Sequence, residues 1–169
     1  MLDGLEISQF TYFQQCGGID LDLVPAELTY GLERLTPFLQ AKDSVYDIEW
    51  APGFSYGDVR YQDELQYSVY NFEMADISTL WKLFDLHEGE ATRLIKLYDL
   101  KSPEKRRFPL LPAYDQVLKC SNLFNTLDAR GAISVTERVG VIQRVRKMAV
   151  AIAAAWSDQQ QAPTAEVAQ

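Results

Sequence analysis

Apolar and polar residues alternate, imperfectly, over residues 5–15, Leu5-Glu6-Ile7-Ser8-Gln9-Phe10-Thr11-Tyr12-Phe13-Gln14-Gln15. A period of two in a run enriched in Thr, Tyr and Phe predicts a β-strand. Ile7, Gln9, Thr11, Phe13 and Gln15 then share one face, and Glu6, Ser8, Phe10, Tyr12 and Gln14 the other. A face that mixes Gln9, Thr11 and Gln15 with two apolar residues suits the floor of a polar pocket better than a plain core. Cys16-Gly17-Gly18 breaks this strand, and residues 20–25 form a connection. Alternation returns in Glu27-Leu28-Thr29-Tyr30, a second strand and the natural neighbour of the first. Gly31 lets the backbone turn without a Cβ clash, and Leu32-Glu33-Arg34-Leu35 begins a helix.

Further along, residues 46–50 and 56–61 flank Pro52-Gly53 and read as a hairpin. Residues 62–72 suit a helix, and Asp76 is placed to cap the next. Ile77, Leu80, Trp81, Phe84, Leu94, Ile95 and Leu97 recur at helical spacing, a stripe that belongs to a core or a partner contact. Residues 99–109 are polar, charged and proline-bearing, hence a loop. Pro112 opens a helix through about Leu127 that closes near Gly131. Ser134-Val135-Thr136-Glu137 is a capping box that starts a last helix, through about Trp156. On that helix Val141, Val145, Met148 and Ile152 take the buried side, and Arg138, Arg144 and Lys147 the exposed one. Residues 157–169 are rich in Gln, Ala and Pro and read as a disordered tail.

Composition narrows the chemistry. The 169 residues are 47% hydrophobic and 12% aromatic, enough for a folded core, and no apolar run is long enough for a membrane span. Residues 1–4 hold no basic segment of the kind that opens a signal peptide. Cys16 and Cys120 lie far apart without metal spacing and read as buried free thiols, which points to the cytoplasm. His87 is the sole histidine, leaving little room for a zinc site or a histidine-based triad. Catalysis would rest on carboxylates, amides and arginines. A net charge of −8 argues against autonomous nucleic-acid binding. Basic residues do gather in Lys101, Lys105, Arg106 and Arg107 and in Arg138, Arg144, Arg146 and Lys147. These read either as a solvated loop and helix face or as a phosphate-binding surface.

The strand–Gly31–helix junction carries the most chemistry. Amides at a helix start attract anions, and Arg34 adds a planar, permanently charged fork suited to phosphate oxygens and to stacking on a base. Alone, this combination also fits an ordinary turn. The run Gly31-Leu32-Glu33-Arg34-Leu35 after a strand nevertheless resembles motif 3 of class II aminoacyl-tRNA synthetases. More narrowly, residues 2–20 followed by Glu27-Leu28-Thr29-Tyr30-Gly31-Leu32-Glu33-Arg34-Leu35 resemble the alpha subunit of the bacterial two-subunit glycyl-tRNA synthetase. The likeness continues through Val45-Tyr46-Asp47-Ile48-Glu49-Trp50, Tyr56-Gly57-Asp58-Val59, Tyr70-Asn71-Phe72-Glu73, Leu111-Pro112-Ala113-Tyr114 and residues 127–138, nearly continuously from Leu2 to about Trp156.

The resemblance implies the site. Arg34 matches the motif 3 arginine that engages ATP, and Gly31 and Glu33 flank it. Glu6 and Gln9 match an acid-x-x-polar strand pattern that meets the metal between ATP phosphates, which suits Mg2+ and its oxygen ligands. Glu27 matches a carboxylate that meets the amino group of the amino acid. Thr29, with Gln9 or Thr11, completes a polar glycine pocket, and Phe13 or Tyr30 supplies a wall against larger side chains. The implied activity is glycine–tRNA ligase: ATP-dependent activation of glycine, then transfer to tRNA(Gly). The cofactors are ATP and Mg2+. The implied assembly is an alpha homodimer within a two-subunit enzyme whose beta subunit makes most of the tRNA contact.

Two departures bear on this reading. Motifs 1 and 2 are not found, so the chain reads as the C-terminal part of such a subunit, whose sheet would expose an edge and an apolar face. Pro37 stands early in the motif 3 helix, where it removes a hydrogen bond and bears on the pose of Arg34. The expected architecture is α+β: a partial class II antiparallel sheet with motif 3 (residues 1–61), a domain of about three helices (62–156) and the tail (157–169). The alternative function is a non-catalytic module, derived from a synthetase, that binds its partner subunit.

Overall fold

The computed structural model describes residues 3–161. Strands β1 (Ser8–Tyr12), β2 (Gln15–Cys16), β3 (Ile19–Asp20) and β4 (Ala26–Tyr30) are followed by helix α1 (Leu32–Gln40) and strands β5 (Glu49–Ala51) and β6 (Phe54–Ser55). Helices α2 (Tyr56–Val69), α3 (Ile77–Leu97), α4 (Leu110–Ala129) and α5 (Val135–Gln161) complete an α+β architecture with small antiparallel sheets. Two compact units divide the chain: residues up to Gln14 with Leu21–Met74, and Gln15–Asp20 with the residues from Ala75 onward. Tyr61 and Gln62, where the sequence pattern placed a domain boundary, are consecutive residues of α2.

In the first unit β1 and β4 form a two-stranded antiparallel ribbon. The strand expected over residues 5–15 stops at Tyr12, and Phe13 N donates to Pro25 O at 3.0 Å as the ladder ends. The ribbon is bare on both faces: Tyr12 and Leu28 are each 63% exposed, and Phe10 and Tyr30 are nearly as open. The exposed apolar face anticipated from the sequence is present. The hairpin around Pro52-Gly53 forms, but it is shorter than the pattern implied, since Tyr46 lies in a 3-10 turn, Val45–Asp47, and residues 56–61 open α2. The reason is a capping box: Ser55 Oγ accepts from Asp58 N (3.1 Å), and Ser55 N donates to the Asp58 carboxylate (2.8 Å). These bonds hold the Asp58 carboxyl below its ordinary pKa. The helix expected over residues 62–72 therefore starts at Tyr56, and it gives way to a π turn, Tyr70–Met74. The hydroxyls of Tyr46 and Tyr56 both donate to Glu64, at 2.9 and 3.0 Å, which ties the 3-10 turn to α2. Ile48 is the one fully buried hydrophobic side chain among the described residues of this unit.

The second unit has the real core. Asp76 accepts from Thr79 N (2.8 Å) and caps α3 as expected, and Ser134 with Glu137 forms the expected box before α5. Phe84, Ala91, Ala113, Val117, Cys120, Val141, Met148 and Ile152 interlock between α3, α4 and α5, with Trp81, Leu94, Ile95 and Val145 packed around them. A second cluster joins Ala75, Leu80, Leu127 and Ile133. The helical stripe of α3 is thus core at Leu80 and Phe84, while Ile77 and Leu97 stay exposed. α4 begins at Leu110, two residues ahead of Pro112, whose missing N–H is one of those a first turn leaves unbonded anyway.

Three expectations change in this unit. Cys120 is buried, and burial pushes its thiol pKa up to about 11, but Cys16 is exposed. Cys16 ends β2, which pairs with β3 across Gly17-Gly18, both with positive φ (59° and 78°), the conformation a two-residue hairpin turn demands. The last helix extends past Trp156 to Gln161, so residues 157–161 are helical, and the rest of the expected tail lies outside the described residues. Long-range partners account for the extension. Asp158 accepts from Tyr98 Oη (2.6 Å) and Lys105 Nζ (2.9 Å), and Gln159 Nε2 donates to Lys105 O (2.6 Å) and Phe108 O (3.2 Å). The same bonds order residues 99–109, expected as a loop, around a 3-10 turn at Lys105–Arg107.

Candidate functional site

The site begins with strand register. Gln9 stands opposite Thr29 and Thr11 opposite Glu27, so all four share one face of the β1–β4 ribbon, and Phe10, Tyr12, Leu28 and Tyr30 share the other. Thr29 Oγ1 donates to a carboxylate oxygen of Glu27, fixing that side chain along its own strand. Tyr30 takes the opposite face, so it cannot wall a pocket built around Glu27 and Thr29. Phe13 lies beyond the last rung of β1.

The ladder runs one step further: Gly31 N donates to Ile7 O at 2.9 Å, which brings the start of α1 beside the residues that lead into β1. There Arg34 Nη1 donates to the main-chain oxygen of Glu6 at 2.6 Å. Gly31 has φ −81° and ψ 92°, values open to any residue, so its lack of a Cβ serves space and not backbone freedom. A Cβ at this position would lie 3.2 Å from Cδ of Arg34. α1 continues through Pro37 without a break, although Pro37 lacks the N–H that would reach the Glu33 carbonyl.

These contacts border an open cleft of about 260 Å³ lined by Glu6, Gln9, Thr29, Gly31, Glu33 and Arg34. Ile7 and Ser8 line it too; the sequence pattern showed them only as strand residues. Thr11 and Glu27 lie one rung along the same face, outside the cleft lining. The chemistry is mixed: two carboxylates face one guanidinium. Arg34 has five N–H donors and gives one of them to Glu6 O. Gly31 offers α1 no side-chain cap. A polyphosphate in this cleft would need a cation to offset Glu6 and Glu33. Among the described residues no three His, Cys, Asp or Glu side chains gather as a metal cage. One carboxylate with one amide oxygen, Glu6 with Gln9, still fits Mg2+, which keeps several waters and draws its other ligands from phosphates.

Four of the eight residues in the basic clusters pair with carboxylates. Lys105 pairs with Asp158, Arg107 with Glu104 (3.6 Å) and Arg138 with Asp128 (3.1 Å). Arg144 binds Glu88 and Asp85 and lies 4.7 Å above the Phe84 ring; the Glu88 bond raises its pKa further. Among the described residues no helix is long and apolar enough to cross a membrane. A family model described as glycyl-tRNA synthetase alpha subunit matches residues 1–161 of the chain.

Proposed function

Because this chain belongs to the glycyl-tRNA synthetase alpha subunit family, we propose that the cleft at the head of α1 receives ATP for the activation of glycine. One observation supports this above all: Arg34, Glu33, Gly31, Glu6, Gln9 and Thr29, six of the eight residues assigned from motif resemblance, line a single cleft. In this reading Arg34 keeps its register through Glu6 O and turns its remaining N–H groups to the nucleotide. Glu6 and Gln9 would hold Mg2+, which would supply charge neutralisation on the phosphates. Glu27 pairs with the glycine ammonium, Thr29 steers Glu27 by its hydroxyl, and Thr11 and Gln9 complete the polar floor. A glycine carboxylate oxygen attacks the α-phosphorus and pyrophosphate leaves; a hydroxyl at the end of tRNA(Gly) then attacks the glycyl carbonyl of the adenylate, forming the ester and releasing AMP. Such chemistry draws on positioning and charge and asks for little acid–base work, which suits a site built without histidine.

The bare ribbon sets a condition. With both faces of β1–β4 open, the nucleotide has a floor here and lacks an opposite wall, so activity requires further polypeptide against the ribbon. In the cell this is the cytoplasmic two-subunit enzyme, an alpha homodimer with a beta subunit that makes most of the tRNA contact. The same bareness, with Arg34 tied to the main chain, favours a second reading: a non-catalytic module that binds its partner subunit through the helical unit. Calorimetric titration with ATP–Mg2+ separates the two. The first reading predicts binding by the wild-type chain and an affinity about tenfold weaker in Arg34→Ala, as for loss of a charge-assisted hydrogen bond. Absence of binding by wild type removes the nucleotide site from this chain.

A further inference from the structure

Helix α1 presents Arg34, yet packing does little to hold it: none of its side chains is fully buried, and Leu32, Phe38 and Leu39 are 66%, 60% and 77% exposed. Two ties from side chain to main chain take the place of packing. At the first turn Arg34 reaches Glu6 O. At the last residue Gln40 Nε2 donates to Glu49 O at 3.1 Å, and Gln40 Oε1 accepts from Glu49 N at 2.8 Å. A planar amide that meets both main-chain groups of one residue copies the peptide of an adjacent strand.

The β5–β6 hairpin makes this possible. Glu49 stands opposite Ser55, and the ladder bond beside that pair runs from Tyr56 N to Ile48 O at 2.7 Å. Glu49 is therefore in a non-hydrogen-bonded pair, and its own N–H and C=O face away from β6. Gln40 fills both positions. Immediately after it the chain turns through Ala41, a non-glycine residue at φ 51°, so the helix cannot simply lengthen to find other anchors.

We infer that Gln40 is a positioning residue for the nucleotide cleft: it clamps the far end of α1 to the outer edge of the β5–β6 hairpin and so sets where Arg34 stands. The inference rests on the reading of that cleft as a nucleotide site. Gln40 lies about 9 Å along the helix axis from Arg34, outside the cleft lining, and has no contact with a nucleotide bound there.

The test combines hydrogen–deuterium exchange and ATP–Mg2+ titration on the full chain, in wild type, Gln40→Ala, Gln40→Glu and Arg34→Ala. Gln40→Ala deletes both bonds. Gln40→Glu keeps an acceptor for Glu49 N and sets a carboxylate against Glu49 O. The expected result is exchange about fivefold to tenfold faster at the Glu49 amide and across α1 in Gln40→Ala, as loss of two exposed hydrogen bonds implies. Exchange in α3, α4 and α5 stays unchanged, ATP–Mg2+ affinity falls severalfold, and Gln40→Glu lies between. Unchanged exchange in α1 overturns the inference, as does a loosened α1 with undiminished affinity when Arg34→Ala has lost it. Faster exchange throughout α3 to α5 overturns it as well, by making the role global. A wild-type chain that takes no ATP–Mg2+ defeats the nucleotide reading itself and the inference with it.

Discussion

Gly17 is the residue at which one methyl group should cost most. It has φ +59°, and a Cβ built there would stand 2.3 Å from Cβ of Ala153 on α5, against 3.9 Å from its Cα. Substitution by alanine meets two penalties. A left-handed conformation costs a residue with a Cβ about 1 kcal/mol relative to glycine. Forcing a methyl into occupied space costs a further 1–3 kcal/mol or so, as overpacking does elsewhere. Gly17→Ala should therefore destabilise the second unit by about 2–4 kcal/mol. Ala153→Gly alone should cost about 1 kcal/mol, the difference between glycine and alanine inside a helix. The double variant removes the collision and keeps only the backbone terms, so it should be more stable than the two single costs sum to, by about 1–3 kcal/mol. Urea unfolding of the four proteins, followed by tryptophan fluorescence, gives this cycle directly. Strict additivity, or a Gly17→Ala protein as stable as wild type, would show that the β2–β3 turn is not seated on Ala153.

Gly31→Ala should fold normally, since φ −81° suits alanine, but must move Cδ of Arg34 from a 3.2 Å contact; ATP–Mg2+ affinity should drop about threefold, the effect of a bond pushed a few tenths of an ångström off. The Tyr98–Asp158 bond predicts a pH window. Burial, with Asp158 next, raises the Tyr98 pKa to about 12, and the bonds from Tyr98 and Lys105 hold Asp158 below the usual carboxylate range. Stability from Tyr98 is complete below its unfolded pKa, about 10, and is lost as pH rises through 12. Stability from Asp158 is present above its unfolded value of about 4 and is lost as pH falls below it. Urea midpoints of Tyr98→Phe measured against wild type should show a smaller alkaline decline, since Tyr46 and Tyr56, also raised, still titrate, and an identical alkaline profile in both would contradict the assignment.

Legibility followed the range of the interaction. The polar face of Gln9, Thr11, Glu27 and Thr29 could be read from a period of two, because side-chain alternation is local and the register then placed both pairs together. Asp76 and Ser134 were legible because a cap lies within three residues of its donor. Ser55 was missed as a cap because Phe54, Tyr56, Val59 and Tyr61 around it have the composition of a strand. The β2–β3 hairpin has two residues per strand, too few to show a period. Helix at residues 157–161 depends on Tyr98, Lys105 and Phe108, about fifty residues away or more, so Gln- and Ala-rich composition pointed elsewhere. Gln40 left no signature at all, because its partner is the main chain of Glu49, which every residue type possesses.

If this cleft serves glycine activation, glycine must drive exchange of labelled pyrophosphate into ATP. The assay takes the full chain assembled with its partner subunit and with polypeptide carrying motifs 1 and 2 supplied in trans, as wild type and as Arg34→Ala. Exchange should require glycine and fall about a hundredfold or more in Arg34→Ala, as loss of a charge-stabilising donor does in other active sites. Exchange that proceeds without glycine, or that Arg34→Ala leaves unchanged, would contradict that role for the cleft.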